Sequence, residues 1–395
     1  MKTPPPVLRR RPPDLILFAA VLALAGIGLV MVYSASSAVA FDRLDDSAYF
    51  LKRQAMWIAL GLCGMWLARG VHYLRLRAYT MPLLLVAVLC MVAVLIPGIG
   101  RVAGGARRWI IAGPFSFQPV EIAKLALVLY LSHFVTRRSA AMWDFRRGVL
   151  PPLAITAGFG LLVLRQPDMG SALLLGAVAI VVLFLSGVRA LHLSAVMIAA
   201  LPVLAAAVAV ADYRLARVVA FLDPWRDPQG SGFHIIQSLL AFGSGGVFGV
   251  GLGASRQKFF YLPERHTDFI FAILGEELGL LGTIGLVLLF AVVAYRGWRI
   301  ARTAPDRFGA LLASGITATI VAQALLNMGV ATGVLPVTGI PLPLVSFGGS
   351  SLVVTMIQVG MLLNISQYAH ADAPATTRPM PMATARAGRP LGVTL

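Results

Sequence analysis

The chain has 395 residues, 58% of them hydrophobic and only 12% charged, with a mean hydropathy of +0.84. A soluble domain averages about 45–50% apolar and about 25% charged residues, so the composition excludes a soluble globular protein and indicates an all-α polytopic membrane protein. The net charge is +17, but 29 of the 33 basic residues are arginines scattered along the chain, which argues against a nucleic-acid surface with its clustered stripe.

Residues 1–14 are basic and polar, with Lys2, Arg9, Arg10 and Arg11 ahead of an apolar run from Leu15 to Tyr33. That run exceeds the ~7–15 residues of a signal-peptide core, and many more follow, so it reads as an uncleaved first helix. Further apolar runs lie near 55–68, 80–97, 119–136, 148–164, 170–187, 190–211, 269–295, 310–333 and 350–367. Each is long enough, or nearly so, to cross a ~30 Å hydrocarbon core. The expectation is ten spans, the second and fifth resting on the shortest runs, within one membrane unit over 15–368. The tail from 369 to 395 is rich in Pro, Ala, Thr and Arg and is expected to be disordered. Cys63 and Cys90 lie inside apolar runs, where packing is the default, so neither a disulfide nor a metal site is expected.

Arginine and lysine set the orientation. With the N-terminus in the cytoplasm, inside segments hold 19 basic residues and outside segments 13, and only Asp14, Asp144, Asp306 and Asp372 of the 16 acids fall inside. Six of the 13 outside basic residues sit in one long acid-containing loop, which the rule for short basic loops does not govern. Both termini are therefore expected in the cytoplasm.

The outward face then holds nearly all the unusual chemistry. Residues 98–118 read GIGRVAGGARRWIIAGPFSFQ, a glycine-rich entry to Arg107, Arg108 and Trp109. Arginine forks suit phosphate oxygens, and the indole suits a sugar face or the membrane interface, where it would merely anchor. Glu121 and Lys124 can pair at i, i+3, although a lysine in hydrocarbon needs a further reason. The turn 166–171, QPDMGS, offers Asp168 or Ser171 as a helix cap. Next comes a loop over 211–268, too long for an idle connector. It carries Arg214, Arg217 and FLDPW, then the glycine-rich GSGGVFGVGLGAS. That stretch lacks the ending of a phosphate loop and reads as a half-inserted segment whose glycines allow close packing.

The loop ends in PERHTDFIFAILGEELG. Glu264, His266 and Asp268 crowd the entrance of a helix, and Glu276 and Glu277 sit two turns deeper. Carboxylates at that depth are costly and mark function. The plain alternative is that Asp268 caps the helix and that both glutamates pair with cations. Gly275 and Gly279 imply a close helix contact. In the last outward turn, NMGVATGVLPVTGIPLPLVSFGGSS, the Pro and Gly residues of GVLPVTGIPLP break any helix, and the broken segment would line protein or a water-filled cavity.

Together GARRWI, QP-x-E-x-x-K, QPDMGS, YR-x-x-R…FLDPW, PERHTDFIFAILGEELG and TGIPLPLVSFGGSS resemble the SEDS family (shape, elongation, division and sporulation proteins), in order, from about Ile16 to Asn364. The double arginine of GARRWI leans toward its FtsW/SpoVE branch. The resemblance implies a ten-helix enzyme of the bacterial cytoplasmic membrane that polymerises lipid II into peptidoglycan beside a class B penicillin-binding protein, within the division or elongation machinery. It implies that Asp268 matches the family's essential aspartate and Trp109 its essential tryptophan. Val120, Ser171 and Gly104 stand where the family usually has Ser, Thr and Asn. Candidate substrate-binding residues are Trp109, Arg107, Arg108, Arg214, Arg217, Glu264, His266, Lys124 and Ser350.

The residues suit that chemistry. Transfer from a diphosphate-linked sugar has a good leaving group, so one base for the attacking hydroxyl suffices, with cations for the departing diphosphate. Phe269, Ile270 and Phe271 after Asp268 would desolvate it and raise its basicity. A divalent cation is the one cofactor this chemistry leaves open. The competing readings are a lipid II flippase, whose path would use Glu276, Glu277 and Lys124, and a structural scaffold for partner proteins.

Overall fold

In the computed structural model, residues 11–103, 105–113, 115–257 and 267–368 are described. Twelve α-helices and a small sheet make up the described chain: α1 (Leu15–Leu44), α2 (Tyr49–Gly70), α3 (Leu76–Ala93), β1 (Gly100–Ala103), β2 (Ala106–Ala112), β3 (Phe115–Phe117), α4 (Pro119–Arg137), α5 (Leu150–Arg165), α6 (Met169–Leu185), α7 (Ala190–Ala209), α8 (Asp212–Leu222), α9 (Phe233–Gly245), α10 (Ile270–Thr303), α11 (Arg307–Ala331) and α12 (Gly349–Ser366). Each of the ten expected apolar runs contains a helix. Eight of these are long and apolar enough to cross a membrane: α1, α3, α4, α5, α7, α10, α11 and α12. The second run falls short because α2 takes in Lys52, Arg53 and Arg69. The fifth qualifies because its span counts Phe145–Arg165, 21 residues including the turn before α5; the sixth is short, α6 having 17 residues, or about 25 Å at ~1.5 Å per residue.

The bundle centres on α4, α11 and α12, whose side chains are mostly buried. Around them α2 packs along α12, α3 and α6 lie against α4, and α1 lies against α10. By contrast α7 leans on α6 and α8 and buries little beyond Leu193.

The two ends of the bundle are tied differently. At one end the first and last described segments meet: the Arg11 N–H donates to the Gln367 carbonyl at 2.9 Å. Asp14 caps α1 through Leu17 N–H and takes the Arg296 guanidinium, with Nε 2.8 Å from Oδ2. Asn364 Oδ1 accepts the Tyr73 N–H at 2.9 Å, and Arg77 pairs with Asp306 at 2.8 Å.

At the other end the chain departs from the sequence reading in three places. Residues 100–103, 106–112 and 115–117 form an antiparallel sheet, β1-β2-β3. The Gly104-Gly105 dipeptide beside β-branched and aromatic residues is a hairpin signal, and Gly105 has a φ of +75°. The long loop contains α8, with polar and apolar faces, and α9. Helix α10 breaks at Gly279 (φ 64°, ψ −162°). The freed backbone is not left bare: Val250 and Gly251 N–H groups donate to the Glu276 and Glu277 carbonyls at 3.0 Å, and Leu280 N–H donates to Gly246 at 2.9 Å. The glycine-rich stretch is therefore a clasp on α10. Its contact is tight, since a Cβ on Gly249 would lie 2.2 Å from the Glu277 carbonyl oxygen.

The segment 332–348 has no helix and dips into the bundle. Leu342, Leu344 and Val345 are buried, and a Cβ on Gly28, near the middle of α1, would lie 2.7 Å from Leu344 and Val345 backbone atoms.

Candidate functional site

The site forms at the end opposite the termini, where β2, the α5–α6 turn, α8 and the 332–348 segment meet the start of α10. Strand β2 contributes first. Its register with β1 pairs Arg101 with Trp109 and Val102 with Arg107, which leaves Arg108 as the extra residue of a bulge. A bulge re-aims a side chain. Arg108 Nε donates to the Gln166 carbonyl at 2.8 Å and Nη2 to the Pro167 carbonyl. Arg107 goes elsewhere, its Nη1 donating to the Leu95 carbonyl beyond α3 at 3.2 Å. Trp109 is half-buried beside them.

The third guanidinium nitrogen of Arg108 faces Gly339. A Cβ there would lie 3.9 Å from Arg108 Nη1 and 3.6 Å from Asp268 Oδ2. Gly339, with a φ of +75° that only glycine adopts cheaply, lies beside both the guanidinium and the carboxylate. Arg217 on α8 completes the group. Its Nη1 donates to the Val337 carbonyl at 3.4 Å. Burial first, then the nearby Arg108 charge, push its guanidinium below the ordinary arginine value, while Tyr213, Asp268 and Asp168 oppose that shift. Two guanidiniums and two carboxylates thus share one field.

Asp268 is half-buried, and the N-cap position of α10 falls on the next residue, Phe269. It is held through its backbone. Asn327 Nδ2 on α11 donates to the Asp268 carbonyl at 2.7 Å and to the Ile340 carbonyl at 2.8 Å. Ser346 Oγ donates to the Thr267 carbonyl at 2.5 Å and accepts the Leu342 N–H at 2.8 Å. These two side chains lock residues 267–268 to the same segment that presents Gly339. Sequence reading missed both, although Asn327 opens the last outward motif and Ser346 lies within it.

The remaining candidates are placed further back. Lys124 is buried, paired with Glu121 at 2.8 Å and donating to Gln323 Oε1 at 2.7 Å. Gln323 Nε2 in turn donates to the Pro341 carbonyl at 3.0 Å, so the intramembrane lysine braces the same segment from below. Ser350 Oγ accepts the Gln118 N–H at 3.2 Å and joins the starts of α12 and α4. Arg214 donates to the Ala207 carbonyl at 2.7 Å and the Leu164 carbonyl at 3.1 Å, which ties α7 to α5. Asp168 caps α6 through Ser171 N–H and Oγ, at 3.0 and 2.8 Å. Glu264 and His266 lie outside the described residues.

Glu276 and Glu277 are buried, and their described partners are hydroxyls and amides rather than cations. Ser255 Oγ and Arg256 N–H donate to Glu276, the latter at 2.9 Å, and Ser34 Oγ donates to Glu277 at 2.6 Å. They fasten the end of the clasp to α10 and α1. Among the described residues no group of three or more His, Cys, Asp or Glu side chains could hold a metal ion. What the site offers is a carboxylate that can accept a proton beside guanidinium charge suited to phosphate oxygens.

Residues 14–371 match the family described as cell cycle protein, FtsW/RodA/SpoVE. The stage V sporulation protein E of Bacillus subtilis is 46% identical over 360 residues, covering 91% of this chain and 98% of that protein. A probable peptidoglycan glycosyltransferase FtsW of Geobacter metallireducens is 46% identical over 353 residues, 89% and 94% of the two chains. Among solved structures, a chain from a peptidoglycan synthase complex that coordinates polymerization and crosslinking superposes with a TM-score of 0.75 at 34% identity, covering 90% of this chain and 97% of that one. The rod shape determining protein RodA of Thermus thermophilus gives 0.67 at 30% identity, covering 91% and 98%. With its ordered motifs, bundle and family match in agreement, this multi-pass membrane protein is a member of the SEDS family.

Proposed function

We propose that the chain polymerises lipid II into peptidoglycan strands on the outer face of the bacterial cytoplasmic membrane. The observation that carries the reading is that Asp268 Oδ2 and Arg108 Nη1 converge on one point, the place a Cβ on Gly339 would take, at 3.6 and 3.9 Å. Asp268 takes the proton of the acceptor sugar's 4-hydroxyl. The oxygen attacks the anomeric carbon of the donor chain, the bond from that carbon to the phosphate oxygen breaks, and undecaprenyl diphosphate leaves with the bonding electrons. Arg108 and Arg217 stabilise the charge that develops on the diphosphate, and a divalent cation carried with it would add to them. The relatives named as peptidoglycan glycosyltransferases support the same reaction.

In this reading α2 and α6 complete ten spans, and the end that holds both termini faces the cytoplasm. Cysteines introduced at Ser231 and Thr384, in a background without Cys63 and Cys90, should label from opposite sides; labelling from one side refutes the topology. The partner is a class B penicillin-binding protein, a reading supported by the relative solved within a synthase complex. Which transpeptidase co-purifies decides between division, elongation and sporulation.

The direct test is polymer formation by purified protein from detergent-solubilised lipid II, where a flippase has nothing to do. Proton acceptance contributes about 10²–10⁴-fold in rate, so Asp268→Asn should lower polymerisation by that order while the protein stays folded. Near-wild-type turnover by folded Asp268→Asn removes the base assignment.

A further inference from the structure

The end of the bundle that carries the termini has a basic rim that the reaction above leaves unused. Segments 137–149 and 185–193 hold Arg137, Arg138, Arg146, Arg147 and Arg189 against one carboxylate, Asp144. Ring contacts bring the two segments together. The Arg189 guanidinium lies over the Trp143 ring at 5.4 Å, and the Phe145 ring meets His192 edge-on at 5.5 Å. Asp144 is engaged locally, its Oδ1 accepting the N–H groups of Arg146 at 2.8 Å and Arg147 at 3.4 Å. The five arginine side chains are exposed, and among the described residues none has a carboxylate partner. Their neighbours at this end differ: Arg77 has Asp306 and Arg296 has Asp14.

The rim also has an apolar side. Trp143 is 63% exposed, and Leu150 and Leu191, at the starts of α5 and α7, are 48% and 76% exposed. Both helices run into the membrane from here, so Trp143 marks the boundary between hydrocarbon and headgroups, where exposed indoles gather. A soluble anion would use the guanidiniums but has no use for the indole and leucines. A phospholipid uses both: forked guanidiniums bind its phosphate oxygens, and apolar neighbours take the glycerol and upper acyl chain. Basic pockets between membrane helices hold anionic headgroups by this combination.

We propose that Arg146, Arg147 and Arg189, with Trp143 beside them, form a binding site for the phosphate headgroup of an anionic phospholipid. The site is independent of the reaction at Asp268, at the opposite end of the bundle.

The test follows the thermal unfolding midpoint of the purified protein in neutral detergent during titration with dioctanoyl phosphatidylglycerol, dioctanoyl phosphatidylcholine or inorganic phosphate. Phosphatidylglycerol should raise the midpoint saturably, and the other two should not. An arginine near a headgroup contributes about fivefold in affinity, so Arg146→Gln/Arg147→Gln/Arg189→Gln should need about a hundredfold more phosphatidylglycerol. Arg226→Gln, exposed at the other end, should need no more than wild type. If the triple variant folds poorly, Arg146→Gln alone should still weaken binding about fivefold. Equal responses to the two lipids, or unchanged affinity in the arginine variants, overturns the proposal. A response to inorganic phosphate as strong as to phosphatidylglycerol also overturns it and assigns a soluble anion.

Discussion

Asn327→Ala isolates the positioning of the candidate base from its chemistry. The side chain is 1% exposed and its amide holds two carbonyls, those of Asp268 at 2.7 Å and Ile340 at 2.8 Å. Leaving the buried Ile340 carbonyl unpaired costs about 1–3 kcal/mol. The Asp268 carbonyl is only partly buried, so water recovers some of its loss, and the total should be about 2–4 kcal/mol. The kinetic effect has a different origin. Without the bridge, residues 267–268 and the Gly339 segment are fixed to each other through Ser346 alone, and a displacement of ~1 Å at a reacting group can cost about 10²-fold. The guanidiniums assigned above to the diphosphate have carbonyl partners of their own, Gln166 and Pro167 for Arg108 and Val337 for Arg217. Asn327→Ala should therefore lower kcat by about 10–100-fold with KM for lipid II changed less than about threefold. The assay is steady-state polymerisation in detergent, with the unfolding midpoint measured in parallel. A folded variant with wild-type kcat, or one whose whole defect is in KM, refutes the positioning argument.

Arg217→Lys should acquire an alkaline limb in its pH profile. The burial and Arg108 charge that lower Arg217 would lower a lysine from its usual ~10.4. Diphosphate affinity would then be complete at neutral pH and lost as pH rises through that lowered value, whereas the wild-type arginine stays charged; identical profiles up to about pH 10 contradict this. Lys124→Met should destabilise by about 3–5 kcal/mol by stranding buried Glu121, and adding Glu121→Gln should recover part of the loss. A purely additive double variant would show that the pair is not coupled. Gly249→Val should cost about 2–4 kcal/mol in thermal stability, because a side chain at φ 80° collides with Glu277 backbone. Wild-type stability would mean that the clasp on α10 is not tight in solution.

Hydropathy alone determined the class of this protein and where its ten apolar helices lie, because burial in lipid demands long apolar runs with every backbone group paired internally. It also determined which stretches would refuse to be helix, since Pro and Gly act locally. What it left open was decided by partners distant in sequence. Lys124 and Glu276 were legible as buried charges, but whether a buried charge is catalytic or braced depends on what faces it, and Gln323 and Ser255 come from other parts of the chain. Glycine-rich 243–255 was legible as close-packing; only the break at Gly279 shows that its N–H groups replace those of a helix. Arg107 and Arg108 are adjacent and chemically identical on the page. The bulge in β2 sends one to the Leu95 carbonyl and the other to Asp268's neighbourhood, because the register of a strand pair is a property of both strands. Asn327 shows the same limit: a side chain that positions two carbonyls 59 and 13 residues away acquires its meaning only when the tertiary fold brings those carbonyls to it.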